Sequence, residues 1–245
     1  MPSGRGARKG ASNLTAAGII ASDAARRLAS RLTGRDLPLP WMTALDSRAI
    51  THIVRRADPR YVLEWGSGHS TGRFPREAPH LERWVSVEHD AAWHERIKER
   101  ERHGAVKLAL VPPDGPGATV GGRATFKDYV SFPAGLGLRF DLVIIDGMDR
   151  LECLRATPAL LSERGLMVLH DAQRYDYAAL LGGLGPHVEL EDPRNGFRIL
   201  VVGARTDPRS VLDIAYLEGL YATVGEMHGR LVGSLGPAYL ALSFR

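Results

Sequence analysis

The stretch Tyr61-Val62-Leu63-Glu64-Trp65-Gly66-Ser67-Gly68-His69-Ser70-Thr71 joins a short apolar run, an acid, two glycines and two hydroxyl residues. A run of this kind reads as a buried parallel strand, and glycines directly after it let the backbone turn tightly and approach a ligand. Ser70 or Thr71 is then placed to cap a helix expected over about 70–78, whose first N–H groups stay free for an anionic group. This is the pattern of a nucleotide-type pocket. Gly66 and Gly68 meet the first half of G-x-G-x-x-G, but Thr71 holds the third position and Gly72 comes one residue late, so a dinucleotide reading loses support.

A second acid stands where the first motif predicts one. Arg83-Trp84-Val85-Ser86-Val87-Glu88 is another strand-like run, and Glu88 lies 20 residues beyond Gly68. In Rossmann-like folds an acid at the end of the second strand accepts hydrogen bonds from ribose hydroxyls. A carboxylate at a strand end is often only a solvated charge, but two at this spacing point to a ligand. Glu64 beside the first glycine is suited to accept from an ammonium group near the turn.

Working outward, strands alternate with helices: strand 61–65, helix 70–78, strand 83–88, helix 90–102, strand 105–111. This rhythm requires a mainly parallel sheet. Phe140-Asp141-Leu142-Val143-Ile144-Ile145-Asp146-Gly147 belongs at the sheet centre, with Asp146 looking into the crevice. A helix over 150–162 leads to Gly165-Leu166-Met167-Val168-Leu169-His170-Asp171, a further strand with a polar pair at its end. His187–Asp192 and Phe197–Val202 flank Pro193-Arg194-Asn195-Gly196, and Asn-Gly between such runs signals a hairpin. The last strand is therefore expected to be antiparallel. The long loop from Pro112 to Lys127 borders the same edge, where Asp114 is in reach of an adenine amino group.

The motif E-x-G-x-G-x-S at Glu64–Ser70 resembles the first motif of class I S-adenosylmethionine-dependent methyltransferases. Trp65-Gly66-Ser67-Gly68-His69-Ser70, Val87-Glu88-His89-Asp90, Ile145-Asp146-Gly147 and Leu169-His170-Asp171-Ala172-Gln173-Arg174 are similar to the motif series of the group that includes the glucuronoxylan 4-O-methyltransferases. The similarity spans roughly residues 40 to 203. It implies S-adenosyl-L-methionine as cofactor, held by Glu64, Gly66, Ser67, Gly68, Ser70, Glu88 and Asp114, and an α/β Rossmann-like doubly wound sheet. A more distant likeness is to catechol-type, metal-dependent O-methyltransferases. There Asp146 matches a metal ligand, but His170-Asp171 stands in place of a D-N pair. Asp146, His170 and Asp171 are thus candidate ligands of a mixed N/O divalent site, and metal use is left open.

The expected reaction is methylation of a hydroxyl on a small molecule or saccharide, an in-line displacement in which the protein mainly positions the acceptor. His170, with an ordinary pKa near 6.5, is the candidate base, and Asp171 or Asp146 orients it or acts directly. Arg150, Arg174 and Tyr175 follow these strand ends and are candidate substrate contacts, the guanidinium groups being suited to a substrate carboxylate. Two other classes compete. A nicotinamide (NAD)-dependent oxidoreductase is disfavoured by the late glycine and the terminal hairpin, and a non-catalytic binding scaffold would use the C-terminal helix.

Composition bounds these readings. The chain has 245 residues, 44% of them hydrophobic, which suits one large core. No apolar stretch approaches membrane-spanning length, and the single Cys153 excludes a disulfide framework. The formal charge is +4 overall but +6 over residues 1–35, leaving −2 for the rest, so no nucleic-acid groove is implied. Residues 1–35 read as a basic flexible tail, with an organellar transit segment as the competing reading and a cytoplasmic location preferred. The methyltransferase domain is expected over 36–245: a leading helix 41–57 over the cofactor cleft, a core 60–203, and a helical segment 207–245 that packs outside the sheet or forms a homodimer contact.

Overall fold

The strand Phe140–Ile145 is apolar on both faces because both faces are covered. In the computed structural model, which describes residues 4–33, 42–115, 119–120, 123–174 and 185–235, this strand (β6) lies between β1 (Tyr61–Trp65) and β7 (Leu161–His170), parallel to both. Leu142 and Ile144 point to one face with Val62, Trp84, Leu166 and Val168, while Val143 and Ile145 point to the other with Leu63, Val87, Met167 and Leu169. The two-residue side-chain period of a strand produces this division.

The sheet has seven strands in the order β3-β2-β1-β6-β7-β9-β8, with β2 at Arg83–Glu88, β3 at Val106–Leu110, β8 at His187–Glu191 and β9 at Arg198–Gly203. β9 runs antiparallel to both β7 and β8, as the Asn-Gly hairpin signal predicts. This is the expected Rossmann-like, doubly wound architecture. Strand order reverses between β1 and β6, and in open α/β sheets the crevice outside the strand ends at such a switch point is the ligand position.

The first face is covered by α1 (Gly4–Thr33), α2 (Ala44–Ala57) and, after the short α6 (Pro208–Val211), by α7 (Ile214–Leu235). α2 starts at Thr43, whose hydroxyl accepts from the Asp46 amide at 3.0 Å. Leu217, Leu220, Tyr221 and Val224 of α7 are buried against the sheet. Along 207–235 the helical segment therefore packs outside the sheet. The second face carries α4 (Lys127–Ser131) and α5 (Arg150–Ala156), whose Tyr129, Cys153 and Leu154 are buried with Val143 and Ile145. α3 (Ala91–Arg100) packs along β2 and β3, and β4–β5 (Thr119–Val120 and Arg123–Ala124) form a separate hairpin. Asp90 caps α3 by accepting from the Trp93 amide at 2.7 Å.

Three local expectations are corrected. Residues 70–78 do not form an α-helix: turns lead to a single 3₁₀ turn at Phe74–Glu77. Pro75 and Pro79 remove two backbone donors, and the Ser70 and Thr71 hydroxyls are used elsewhere, so no helix N-terminus faces the glycines. The helix expected over 150–162 ends at Ala156, continues as a 3₁₀ turn through Thr157–Ala159 and gives way to β7 at Leu161. Lastly, the segment read as a flexible tail is helical over 4–33.

α1 is held by more than its apolar side. Ala16, Ile19 and Ile20 are buried, and next to them Asp23 accepts from the Ala44 amide at 2.7 Å and from Arg194 at 2.8 Å. Arg194 also forms a fork on Asp192, with contacts of 2.9 and 2.6 Å, at the turn between β8 and β9. The buried Arg194 guanidinium is thus shared by two carboxylates. Removing one partner of a buried pair leaves the other charge uncompensated. Asp23→Ala is expected to lower the unfolding free energy by about 3 kcal/mol, read by urea denaturation; a variant as stable as the native chain would mean that α1 is not docked.

Candidate functional site

Glu64 lies at the end of β1 but does not reach the crevice. It is buried beneath the glycine turn, where its carboxylate accepts from Ser70 Oγ (2.7 Å), Thr71 Oγ1 (2.7 Å), Trp84 Nε1 (2.9 Å) and Ser86 Oγ (2.8 Å). Burial raises its pKa, and these four donors offset that only in part. With its oxygens occupied by the protein, Glu64 is a floor of the site, a correction to its expected contact with an ammonium group. Ser70 lines the cavity, but its hydroxyl points to Glu64 rather than capping a helix.

Above that floor the two glycines do different work. Gly66 has φ of 95°, and a Cβ there would stand 2.7 Å from the backbone of Gly147. The ends of β1 and β6 therefore touch backbone to backbone. A Cβ on Gly68 would meet only Ser70, at 3.5 Å, and otherwise open space. That open side faces a cavity of about 510 Å³, within the roughly 300–1,000 Å³ usual for small-molecule sites.

Glu88 closes the neighbouring strand and lines this cavity. Its Oε2 accepts from the Ser67 amide and hydroxyl, both at 3.0 Å, and its Oε1 accepts from the amides of His89 (2.8 Å) and Asp90 (2.9 Å). The His89 ring stands 2.7 Å from the same oxygen. Burial pushes the Glu88 pKa up, but the His89 ring and the two backbone amides outweigh it, so the carboxyl is held below its usual range. His89 in turn is raised by Glu88. Trp93, which sequence reasoning missed, donates its indole N–H to the Ser67 carbonyl at 2.8 Å and lines the cavity beside His69. The only sequence signal for it was a large aromatic in the first turn of α3.

The opposite wall is built from β6, β7 and α5. Asp146 lines the cavity; its Oδ1 accepts from Arg150 and from His170 Nδ1, each at 2.9 Å, and its Oδ2 has no hydrogen-bond donor among the described residues. Burial raises its pKa, but His170 and Arg150 more than reverse this and keep it ionised. Arg150 is mostly buried and donates to the carbonyls of Gly147, His170 and Asp146 at 3.1, 2.6 and 3.1 Å. Arg150 lines the cavity as expected of a substrate contact, while its guanidinium is engaged in tying together the ends of β6 and β7. Arg174 lines the cavity with a largely exposed side chain and contacts Asp171 at 2.6 Å. Tyr175 and Tyr177 lie outside the described residues.

His170 is corrected as a general base. It is buried and sits between Asp146 and Asp46, the latter on α2 with Oδ2 3.5 Å from Nε2. Burial disfavours the charged ring, but the two carboxylates outweigh it and push the pKa up to about 10. An imidazolium held to that pH has no free lone pair with which to take a proton. Asp171, at φ of 57°, is buried between Arg150 (3.4 Å) and Arg174, turned from the cavity wall. Asp114 is also corrected: it accepts from the amides of Lys127 (2.8 Å) and Asp128 (3.0 Å), capping α4 rather than lining the cavity. Cys153 is buried, and burial raises its thiol, consistent with a packing role.

Asp146, His170 and Asp171 do bring ligand atoms within 4.8 Å of one another. A divalent cation needs these ligands deprotonated and unpaired. Here Asp46, Asp146 and Asp171 are already matched by the cations of His170, Arg150 and Arg174, so the donor set does not fit a metal.

No protein-family model and no curated protein matches this chain. Among solved structures, the chain is similar to a methyltransferase-like protein from Silicibacter pomeroyi, at 21% identity over 76% of this chain and 99% of that one, with a TM-score of 0.49. Spermidine synthase from Thermotoga maritima is 16% identical over 71% of this chain and 65% of its own, also at 0.49. An O-methyltransferase of tomaymycin synthesis from Streptomyces achromogenes, in complex with S-adenosylmethionine, is 15% identical over 76% and 88%, at 0.47. Among the described residues, no helix is long and apolar enough to cross a membrane.

Two outcomes check this geometry. Gly66→Ala is expected to cost about 3 kcal/mol of stability through a forced positive φ and a backbone clash, measured by urea unfolding; a fold as stable as the native one would contradict the contact with Gly147. His170 holds its proton more tightly folded than unfolded, so its contribution to stability is complete below about pH 6.5 and is lost as pH rises through about 10. The stability gap between the native chain and His170→Asn is therefore expected to shrink toward alkaline pH, and a gap independent of pH would show the ring to be neutral.

Proposed function

We propose that this chain is an S-adenosylmethionine-dependent methyltransferase acting on a hydroxyl of a small molecule or saccharide. The observation that carries the reading is the cavity at the switch point between β1 and β6, floored by Gly66–Gly68 and walled by Glu88 and Asp146. The terminal antiparallel hairpin and the misplaced third glycine weigh against a dinucleotide site.

The residues suit such a cofactor. Gly68 leaves space where any side chain would intrude, and Glu88 offers acceptor oxygens to ribose hydroxyls once Ser67 Oγ or His89 turns away. Trp93 and His69 supply ring surface beside the turn. S-adenosylmethionine supplies an electrophilic methyl group on a sulfonium. The protein's share is to hold the acceptor in line and exclude water.

Asp146 is placed for the acceptor. Its Oδ2, without a donor among the described residues, accepts a hydrogen bond from the acceptor hydroxyl, and its depressed pKa makes it an orienting carboxylate more than a proton store. Arg174, exposed at the mouth, attracts an acceptor bearing negative charge. Cytoplasmic location and a homodimer remain part of this reading as expectations from sequence.

Titration calorimetry with S-adenosylmethionine, with NAD as the competing ligand, tests the proposal. Gly68→Ala is expected to keep native stability and lose at least tenfold in S-adenosylmethionine affinity, while excess chelator leaves affinity unchanged. Preference for NAD, or binding of neither ligand, would overturn the assignment.

A further inference from the structure

Asp46 and Tyr221 belong to helices outside the alternating core, yet both are buried and both point at the site. Tyr221 on α7 donates its hydroxyl to Asp46 Oδ1 at 3.2 Å. Asp46 on α2 presents Oδ2 to His170 Nε2 at 3.5 Å. His170 on β7 then meets Asp146 Oδ1 at 2.9 Å, and Asp146 alone in this series lines the cavity. Four elements separated widely in sequence thus contribute one polar chain that begins beneath α7 and ends on a cavity oxygen.

We propose that Asp46 is a positioning residue, which together with Tyr221 fixes the buried ring of His170 and through it the orientation of Asp146 toward the ligand. The proposal rests on the reading of the cavity as the cofactor and acceptor site. A purely structural ion pair would be complete with two members. Here Asp46 Oδ2 and His170 Nε2 are each buried without a hydrogen bond of good geometry, and they face one another across the 3.5 Å gap. A buried polar atom left unmade is costly, so the two are bound to one another's position. The other charged groups facing the ring are Asp171, 4.0 Å from Nδ1, and Arg150, which donates to the His170 carbonyl. Neither is aimed at Nε2, so Asp46 sets that end of the ring.

Coupling, rather than loss alone, distinguishes this role. Asp46→Asn, His170→Asn and the double variant are titrated with S-adenosylmethionine, and the ring nitrogens of His170 are followed by ¹⁵N NMR. Each single change is expected to weaken binding at least fivefold, with the double variant within twofold of His170→Asn. The native ring is expected to be protonated on both nitrogens at about pH 8, and in Asp46→Asn to lose its proton at lower pH than in the native chain.

A folded Asp46→Asn with native affinity, fully additive losses, or a native ring that is neutral at that pH would overturn the proposal. Should Asp46→Asn alone fail to fold, the double variant, which removes both charges, is expected to fold as His170→Asn does; its failure would count against the coupling. If the native chain binds no S-adenosylmethionine, the cofactor reading fails, and the NMR comparison still decides whether Asp46 governs the ring.

Discussion

A buried carboxylate whose donors among the described residues are all neutral shapes this molecule. Glu64 takes four neutral donors, from Ser70, Thr71, Trp84 and Ser86, and so fastens the turn after β1 to the middle of β2. Each donor satisfies an oxygen that burial would otherwise leave exposed to a low-dielectric interior. Because the hydroxyls of Ser70 and Thr71 are spent there, the chain does not enter a helix after the glycines, and Ser67 and Gly68 line the cavity with their backbone groups already hydrogen-bonded within the protein. The close approach of Gly66 to Gly147 then fixes the distance between the two strands whose ends frame it.

Across the crevice the balance is struck with charges. Three carboxylates meet three cations around the ends of β6 and β7. Neutrality of this kind explains why neither a free imidazole base nor a vacant metal cage results from a sequence that contains the residues for both. Of the three carboxylates only Asp146 lines the cavity, held ionised by its neighbours, with Arg150 and Arg174 beside it. The chemistry of the site is accordingly that of orientation and electrostatic fit more than of stored protons.

The alternation of strands with helices, the antiparallel close and the glycine turn were readable from sequence because each rests on a local signal: apolar runs ending in acids, Gly66 and Gly68, Asn195-Gly196. Glu88 and Asp146 were readable for the same reason, as acids at strand ends. The roles of Glu64, Arg150 and His170 were not: Glu64 turns back to donors 6 to 22 positions away, Arg150 reaches the His170 carbonyl 20 positions on, and His170 meets Asp146 24 positions before it. Asp46 and Tyr221 carried no local signal at all; 175 positions separate them, and only the packing of α2 and α7 on one sheet face brings them together. Helix 1 was misjudged because its charge count hid the buried stripe of Ala16, Ile19 and Ile20.

The pairing of Asp23 with Arg194 spans 171 positions. During synthesis α1 leaves the ribosome well before the β8–β9 turn and α7, so the contacts it makes with them form only once those segments follow. Until then part of this amphipathic helix lacks its native cover, a state in which nascent chains associate with one another and with chaperones. Maturation of the whole enzyme-like core is thereby tied to completion of its far end.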